Sequence, residues 1–132
     1  MKLFVEDDYV ALCDATAKYL IDRINEAKAA GKPYVMALPA GRTVSGIYER
    51  LVAAFKGEGG EGGAAGASRV DFDHVVTFNI DEYVGVPRDS EHSQHSFMWK
   101  HFFRHVNVRR ENVHFLDGAT VASEDWAAEC ER

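Results

Sequence analysis

Apolar positions along the chain switch between helical and strand-like spacing. From Asp7/Asp8 onward, Val10, Cys13, Ala17, Leu20, Ile24 and Ala27 recur three and four residues apart, one face of a helix. Acid at its start and Gly31 at its end are cap signals. Lys2–Val5 ahead of it reads as a short strand. After the Lys32-Pro33 break, Tyr34-Val35-Met36-Ala37-Leu38 is continuously apolar, as suits a parallel strand buried on both faces. The turn Pro39–Thr43 then opens a second helix, about Val44 to Phe55, with Ile47, Leu51 and Ala54/Phe55 on its apolar side.

Val75–Ile80 is the next strand, and it leaves the core at Asp81-Glu82. Ser93 or Ser96 caps a helix carrying Phe97, Met98, Phe102 and Val106. Val113–Leu116 forms a further strand, and Ser123-Glu124-Asp125 opens one more helix. Strands alternating with helices predict a parallel α/β sheet. Because the sequence ends about two turns into that last capped helix, it reads as an incomplete domain.

Composition refines this picture. The 132 residues hold 15 Lys+Arg against 21 Asp+Glu, a formal charge of −6, with 46% hydrophobic residues. That suits one globular core and argues against a nucleic-acid partner, which needs clustered cations. The N-terminus turns acidic after three apolar residues, too short for a signal peptide or a membrane helix, so the expected compartment is the cytoplasm. Cys13 and Cys130 stand too far apart in sequence to suggest a zinc ribbon or a disulfide framework. Six of the 11 glycines fall between Gly57 and Gly66, and residues 57–68 read as a surface insertion within a single domain.

Two segments sit where a parallel sheet binds ligands, beyond the carboxyl ends of its strands. In Pro39–Thr43, Gly41 permits close backbone approach, Arg42 brings a charge, Thr43 a hydroxyl, and the following helix offers N–H groups to an anion. A plain βα connection would look similar. Asp81-Glu82 is costly if buried unpaired, so these acids must meet solvent, a cation or a substrate. Partial burial would raise a carboxylate's pKa there and suit it to general-base work, while a solvated turn is the blander reading. His92, His95, His101 and His105 lie close in sequence, but no acid or cysteine at matching spacing completes a metal site. Phe97, Trp99, Phe102 and Phe103 put aromatic rings on both sides of their helix, which points to further protein against its second side.

Phe78-Asn79-Ile80-Asp81-Glu82-Tyr83-Val84-Gly85-Val86-Pro87, followed by Ser96-Phe97-Met98, resembles the glucosamine-6-phosphate deaminase/isomerase family, and the likeness continues through Arg110–Gly118. The resemblance implies a Rossmann-like α/β fold without metal or organic cofactor, a homo-oligomer at full length, and a small sugar phosphate as substrate. It implies conversion of glucosamine 6-phosphate to fructose 6-phosphate and ammonia. Asp81 would be the proton-transfer base, Gly41, Arg42 and Thr43 the phosphate turn, and Asn79 and Glu82 its support. The chain departs from the family turn L-P-T-G-G/S-T-P at Ala40, Arg42 and Val44. Ala40 drops a hydroxyl, Arg42 either adds charge or obstructs the anion, and Val44 forgoes a helix-initiating proline.

The resemblance further implies members about twice this length. Their second half carries ring-opening residues in a G-x-G-x-D-G-H-I-A-F-N-E segment that does not occur here. The expectation is therefore an N-terminal portion with little or no deaminase activity alone. A 6-phosphogluconolactonase-like hydrolase and a non-catalytic truncated subunit are the alternatives.

Overall fold

The computed structural model describes residue 3 and residues 5–58 and 69–118. The chain runs α1 (Tyr9–Ala29), β1 (Tyr34–Leu38), α2 (Arg42–Lys56), β2 (Val75–Asn79), α3 (Gln94–His101) and β3 (Val113–His114). The strands form one parallel sheet in the order β1-β2-β3. Leu38 lies opposite Asn79, and Thr77 opposite Val113.

α1 starts where the Asp8 carboxylate accepts from Ala11 N at 2.8 Å and stops at Ala30, after which Gly31 adopts a φ of 64°. Its buried stripe is Cys13, Ala17, Ile21 and Ile24. Val10 is exposed and Leu20 only half-buried, so the true stripe drifts toward Ile21 relative to the face read from sequence. α2 packs across it. Gly46 gives the closest approach, since a Cβ there would stand 2.9 Å from both Cys13 Sγ and Tyr9 Oη. Leu51 and Ala54 of α2, Met98 of α3, and Met36, Leu38 and Val75 of the sheet complete the core, with Phe72, Phe102 and Phe103 as its largest rings.

Several expectations change. Leu3 and Val5 are exposed outside any strand, and the rest of that segment lies outside the described residues. Strand β1 has the predicted bounds but is buried on one face only: Val35 and Ala37 are exposed because no described helix lies over them. Ser93, not Ser96, caps α3, and the helix ends at His101 in favour of a 3-10 turn over Phe103–His105. β3 keeps two of its four expected residues. Gly57 closes α2 in the left-handed region at φ 76°, whereas 59–68 and the helix expected at Ser123 lie outside the described residues.

At the amino-terminal edge of the sheet, Asp71 accepts from Lys28 Nζ, from Asn107 Nδ2 at 2.7 Å and from Asp73 N at 3.1 Å. Partial burial works against its charge, but the Lys28 and Asn107 donors and the Asp73 amide outweigh that and hold the carboxyl well below the usual range. Its folded pKa lies below the unfolded value, so the stability it confers is present above about pH 4 and is lost as pH falls further. Asp71→Asn should therefore flatten the decline of the urea midpoint between about pH 5 and pH 2. An unchanged acid limb would remove this network from the account.

Candidate active site

β1 and β2 end side by side, about 4.8 Å apart as hydrogen-bonded neighbours. Ile80 N donates to Leu38 O at 3.2 Å just as the two chains leave the sheet. The Pro39–Thr43 turn and Asp81 therefore emerge together at one carboxyl edge, where parallel sheets bind ligands.

The turn is held from below. Tyr48 of α2, nearly buried, donates its hydroxyl to the Pro39 carbonyl, and burial pushes that phenol above its ordinary range, so it stays a neutral donor. Gly41 caps α2 with φ 114°, a conformation that side chains rarely adopt, and no side chain caps the helix. Arg42 and Thr43 are exposed in the first turn of α2, so a cationic and a hydroxyl side chain stand beside the opening N–H groups of the helix, of which Val44 N donates to Gly41 O at 3.3 Å. The Arg42 carbonyl accepts from Ser45 Oγ at 2.8 Å.

Asp81 is exposed, so the partial burial expected of it is absent; its Oδ2 accepts from Gln94 Nε2 at 3.4 Å. Glu82 turns the other way. Its Oε1 accepts from Tyr83 N at 2.9 Å and Gln94 N at 2.8 Å, and its Oε2 accepts from His95 N at 3.0 Å. Ser93 Oγ accepts from Ser96 N at 2.9 Å, so Glu82 and Ser93 together satisfy the free N–H groups that open α3. The negative Glu82 also suits the positive end of the helix.

This role was hidden in the sequence. A capping carboxylate normally sits at the N-cap, as Asp8 does in α1, or three residues into the helix, and here it comes from 12 residues upstream of Gln94. Glu82→Ala should lower stability by about 2 kcal/mol, because two α3 amides lose a charged acceptor. An unchanged denaturation midpoint would contradict that capping role.

Asn79 lies on the buried face of β2, and neither its Oδ1 nor its Nδ2 has a partner among the described residues. Thr77 Oγ1, on the same face, is likewise unpartnered. The loop after β2 is tied to the end of the described chain, with Gly85 N donating to Gly118 O at 2.7 Å. A Cβ at Gly118 would run into the Tyr83 carbonyl, a close approach that only glycine allows.

His95 packs its ring on Phe115, centroids 4.7 Å apart, and Nδ1 lies 3.1 Å from the Arg88 carbonyl. Burial first, then the Arg88 charge, lower its pKa, so the ring is neutral near pH 7 and Nδ1 carries the proton donated to that carbonyl. Among the described residues no group of three or more His, Cys, Asp or Glu could hold a metal ion.

A parallel sheet that gathers a glycine-hinged turn and an acidic strand end on one edge defines a Rossmann-like α/β domain with its ligand edge at the strands' carboxyl ends. A family model described as glucosamine-6-phosphate isomerases/6-phosphogluconolactonase matches residues 7–132, and the chain belongs to that family. The glucosamine-6-phosphate deaminase of Phocaeicola vulgatus is 41% identical over 131 residues, which is 98% of this chain and 45% of that protein. The Caenorhabditis elegans deaminase is 39% identical over 132 residues, 100% of this chain and 46% of its own length.

Among solved structures, a monomeric glucosamine-6-phosphate deaminase superposes with a TM-score of 0.80 at 27% identity, covering all of this chain and 48% of that one. The 6-phosphogluconolactonase of Thermotoga maritima gives 0.66 at 19% identity over 96% of this chain, a likeness of fold alone. The chain spans less than half the length of the curated relatives it matches. Among the described residues no helix is long and apolar enough to cross a membrane.

Proposed function

We propose that this chain supplies the proton-transfer carboxylate and the phosphate-binding turn of a glucosamine-6-phosphate deaminase working in the cytoplasm, within a single α/β domain interrupted at 57–68. The observation that carries this reading is the register of β1 and β2, which sets Asp81 beside the Pro39–Thr43 turn. The phosphate end of a sugar phosphate rests on Gly41, Thr43 and the first amides of α2, with Arg42 adding positive charge. That fixes the other end of the molecule near Asp81.

In the open-chain amino sugar, the Asp81 carboxylate takes the C2 proton. The C–H electron pair forms a C1=C2 double bond while the C1 oxygen gains a proton, giving an enol amine. The carboxylic acid returns its proton to C1, leaving an imine at C2. Water adds there and ammonia departs, so the products are fructose 6-phosphate and ammonia. Asp81 begins and ends as a carboxylate, and its exposure lets substrate, rather than protein, exclude water from it.

The test is titration of the purified 132-residue chain with glucosamine 6-phosphate, followed by an ammonia assay. Binding with turnover far below that of the Phocaeicola vulgatus deaminase is expected, because this chain spans only the half of the family that ends before the ring-opening segment. Normal turnover would overturn the half-site reading, and no binding would overturn the assignment of the edge. Amine release against lactone hydrolysis separates the deaminase from a lactonase.

A further inference from the structure

A carboxylate that moves a proton between carbons needs one oxygen held on the line of the breaking C–H bond. An exposed side chain with two free torsions does not hold itself there. Asp81 is exposed, and what steadies it comes from the start of α3. Gln94 Nε2 donates to Asp81 Oδ2 at 3.4 Å, and among the described residues no hydrogen bond reaches Oδ1. Because an ionised carboxylate only accepts, the Gln94 amide must present its nitrogen to Asp81.

Gln94 is itself anchored by the neighbouring acid. Its main-chain N–H donates to Glu82 Oε1 at 2.8 Å, an oxygen that also accepts from Tyr83 N at 2.9 Å. Glu82 Oε2 takes the next amide of the helix, His95 N, at 3.0 Å. The three side chains thus close a circuit. Glu82 follows Asp81 in the chain and grips the Gln94 main chain, and the Gln94 side chain returns to Asp81.

The first turn of α3 is fixed from other sides as well. Ser93 is 1% exposed and accepts from Ser96 N through Oγ and from Phe97 N through its carbonyl at 3.1 Å. The His95 ring packs on Phe115, and its Nδ1 donates to the Arg88 carbonyl. With these opening amides satisfied by Glu82 and Ser93, the first turn of α3 reaches Asp81 through the Gln94 side chain.

We propose that Gln94 is a positioning residue for the Asp81 base: its side-chain amide holds Oδ2, which leaves Oδ1 to take the C2 proton, and Glu82 fixes Gln94 through the main chain. The proposal rests on the functional reading above and deepens it. Gln94 touches no reacting atom in this account. It restricts where the base oxygen points.

The kinetic test uses the chain completed with the second half of the Phocaeicola vulgatus deaminase, and follows ammonia release from glucosamine 6-phosphate and from its C2-deuterated form. Gln94→Met keeps the length of the side chain and the main-chain bond to Glu82 but has no N–H to give. It should lower kcat by about tenfold with KM little changed, the size of effect a misplaced catalytic group brings. The deuterium isotope effect on kcat should rise, because proton abstraction is the step that slows, and the melting temperature should stay where it was. In the 132-residue chain, the Gln94 side-chain amide resonances should shift on Asp81→Ala, while its main-chain amide, bonded to Glu82, moves far less.

An unchanged kcat in Gln94→Met overturns the proposal. So does a loss of rate that comes with a lower melting temperature and an unaltered isotope effect, since Gln94 is then structural only. Side-chain amide resonances indifferent to Asp81→Ala overturn it too. Asp81→Asn in the same completed chain separates the two readings. If that variant keeps its rate, the base assignment falls and the positioning role with it. If it loses its rate while Gln94→Met does not, the positioning role falls alone.

Discussion

Asp81→Asn should lower ammonia release from glucosamine 6-phosphate by about 10²–10⁴-fold in a chain completed with the second half of the Phocaeicola vulgatus deaminase, the usual worth of a positioned base. The change is nearly isosteric and removes the basicity a carbon-bound proton requires. Asp81 is exposed, and it accepts from Gln94 Nε2 at 3.4 Å, a contact that an amide oxygen can keep, so the fold should not suffer. The loss should fall on kcat with KM little changed, because the proposed phosphate contacts are those of Gly41–Thr43 on the neighbouring strand end. A variant that is folded and retains its rate would remove Asp81 from the chemistry.

Phe102→Ala should be the most damaging core substitution, costing about 3–5 kcal/mol. Phe102 is 1% exposed and joins elements that are distant in sequence: its ring stacks on Tyr48 of α2 at 5.1 Å and meets Phe72 edge-on at 5.5 Å and Phe103 at 5.3 Å. Truncation leaves a ring-sized hole bounded by three other rings, none free to collapse into it. Against a total stability of about 5–15 kcal/mol, the melting temperature should fall by about 10–20 °C. Tyr48 would also lose the neighbour that steadies its hydroxyl under Pro39, so sugar-phosphate binding should weaken as well. Calorimetry checks the first effect, and a drop under about 1 kcal/mol would show that the cluster is loosely packed.

The fold was legible where one short-range signal dominates. Tyr34–Leu38 has the bounds its apolar run predicts, and α1 begins at the Asp8 cap because a side-chain acceptor and its amide lie three residues apart. Burial was less legible. An apolar run announces a strand that prefers cover on both faces, but whether both are covered depends on other parts of the fold, and Val35 and Ala37 are exposed.

The site divides the same way. Its placement at a strand's carboxyl end follows from parallel topology, and both Asp81 and the Pro39–Thr43 turn were readable on that ground. The different surroundings of the two adjacent acids were not. Glu82 finds its amide partners at Gln94 and His95 across a loop, and Gly118 finds Tyr83 across 35 positions, pairings set by tertiary packing rather than by spacing. The exposure of Asp81 escaped sequence reading for the same reason.

The most direct measurement is an amide-resolved nuclear magnetic resonance titration of the 132-residue chain with glucosamine 6-phosphate. Saturable shifts centred on Gly41, Arg42, Thr43 and Asp81 are the predicted result. Shifts confined to the opposite edge, around Lys32 and Arg109, or no shifts at millimolar ligand, would contradict it.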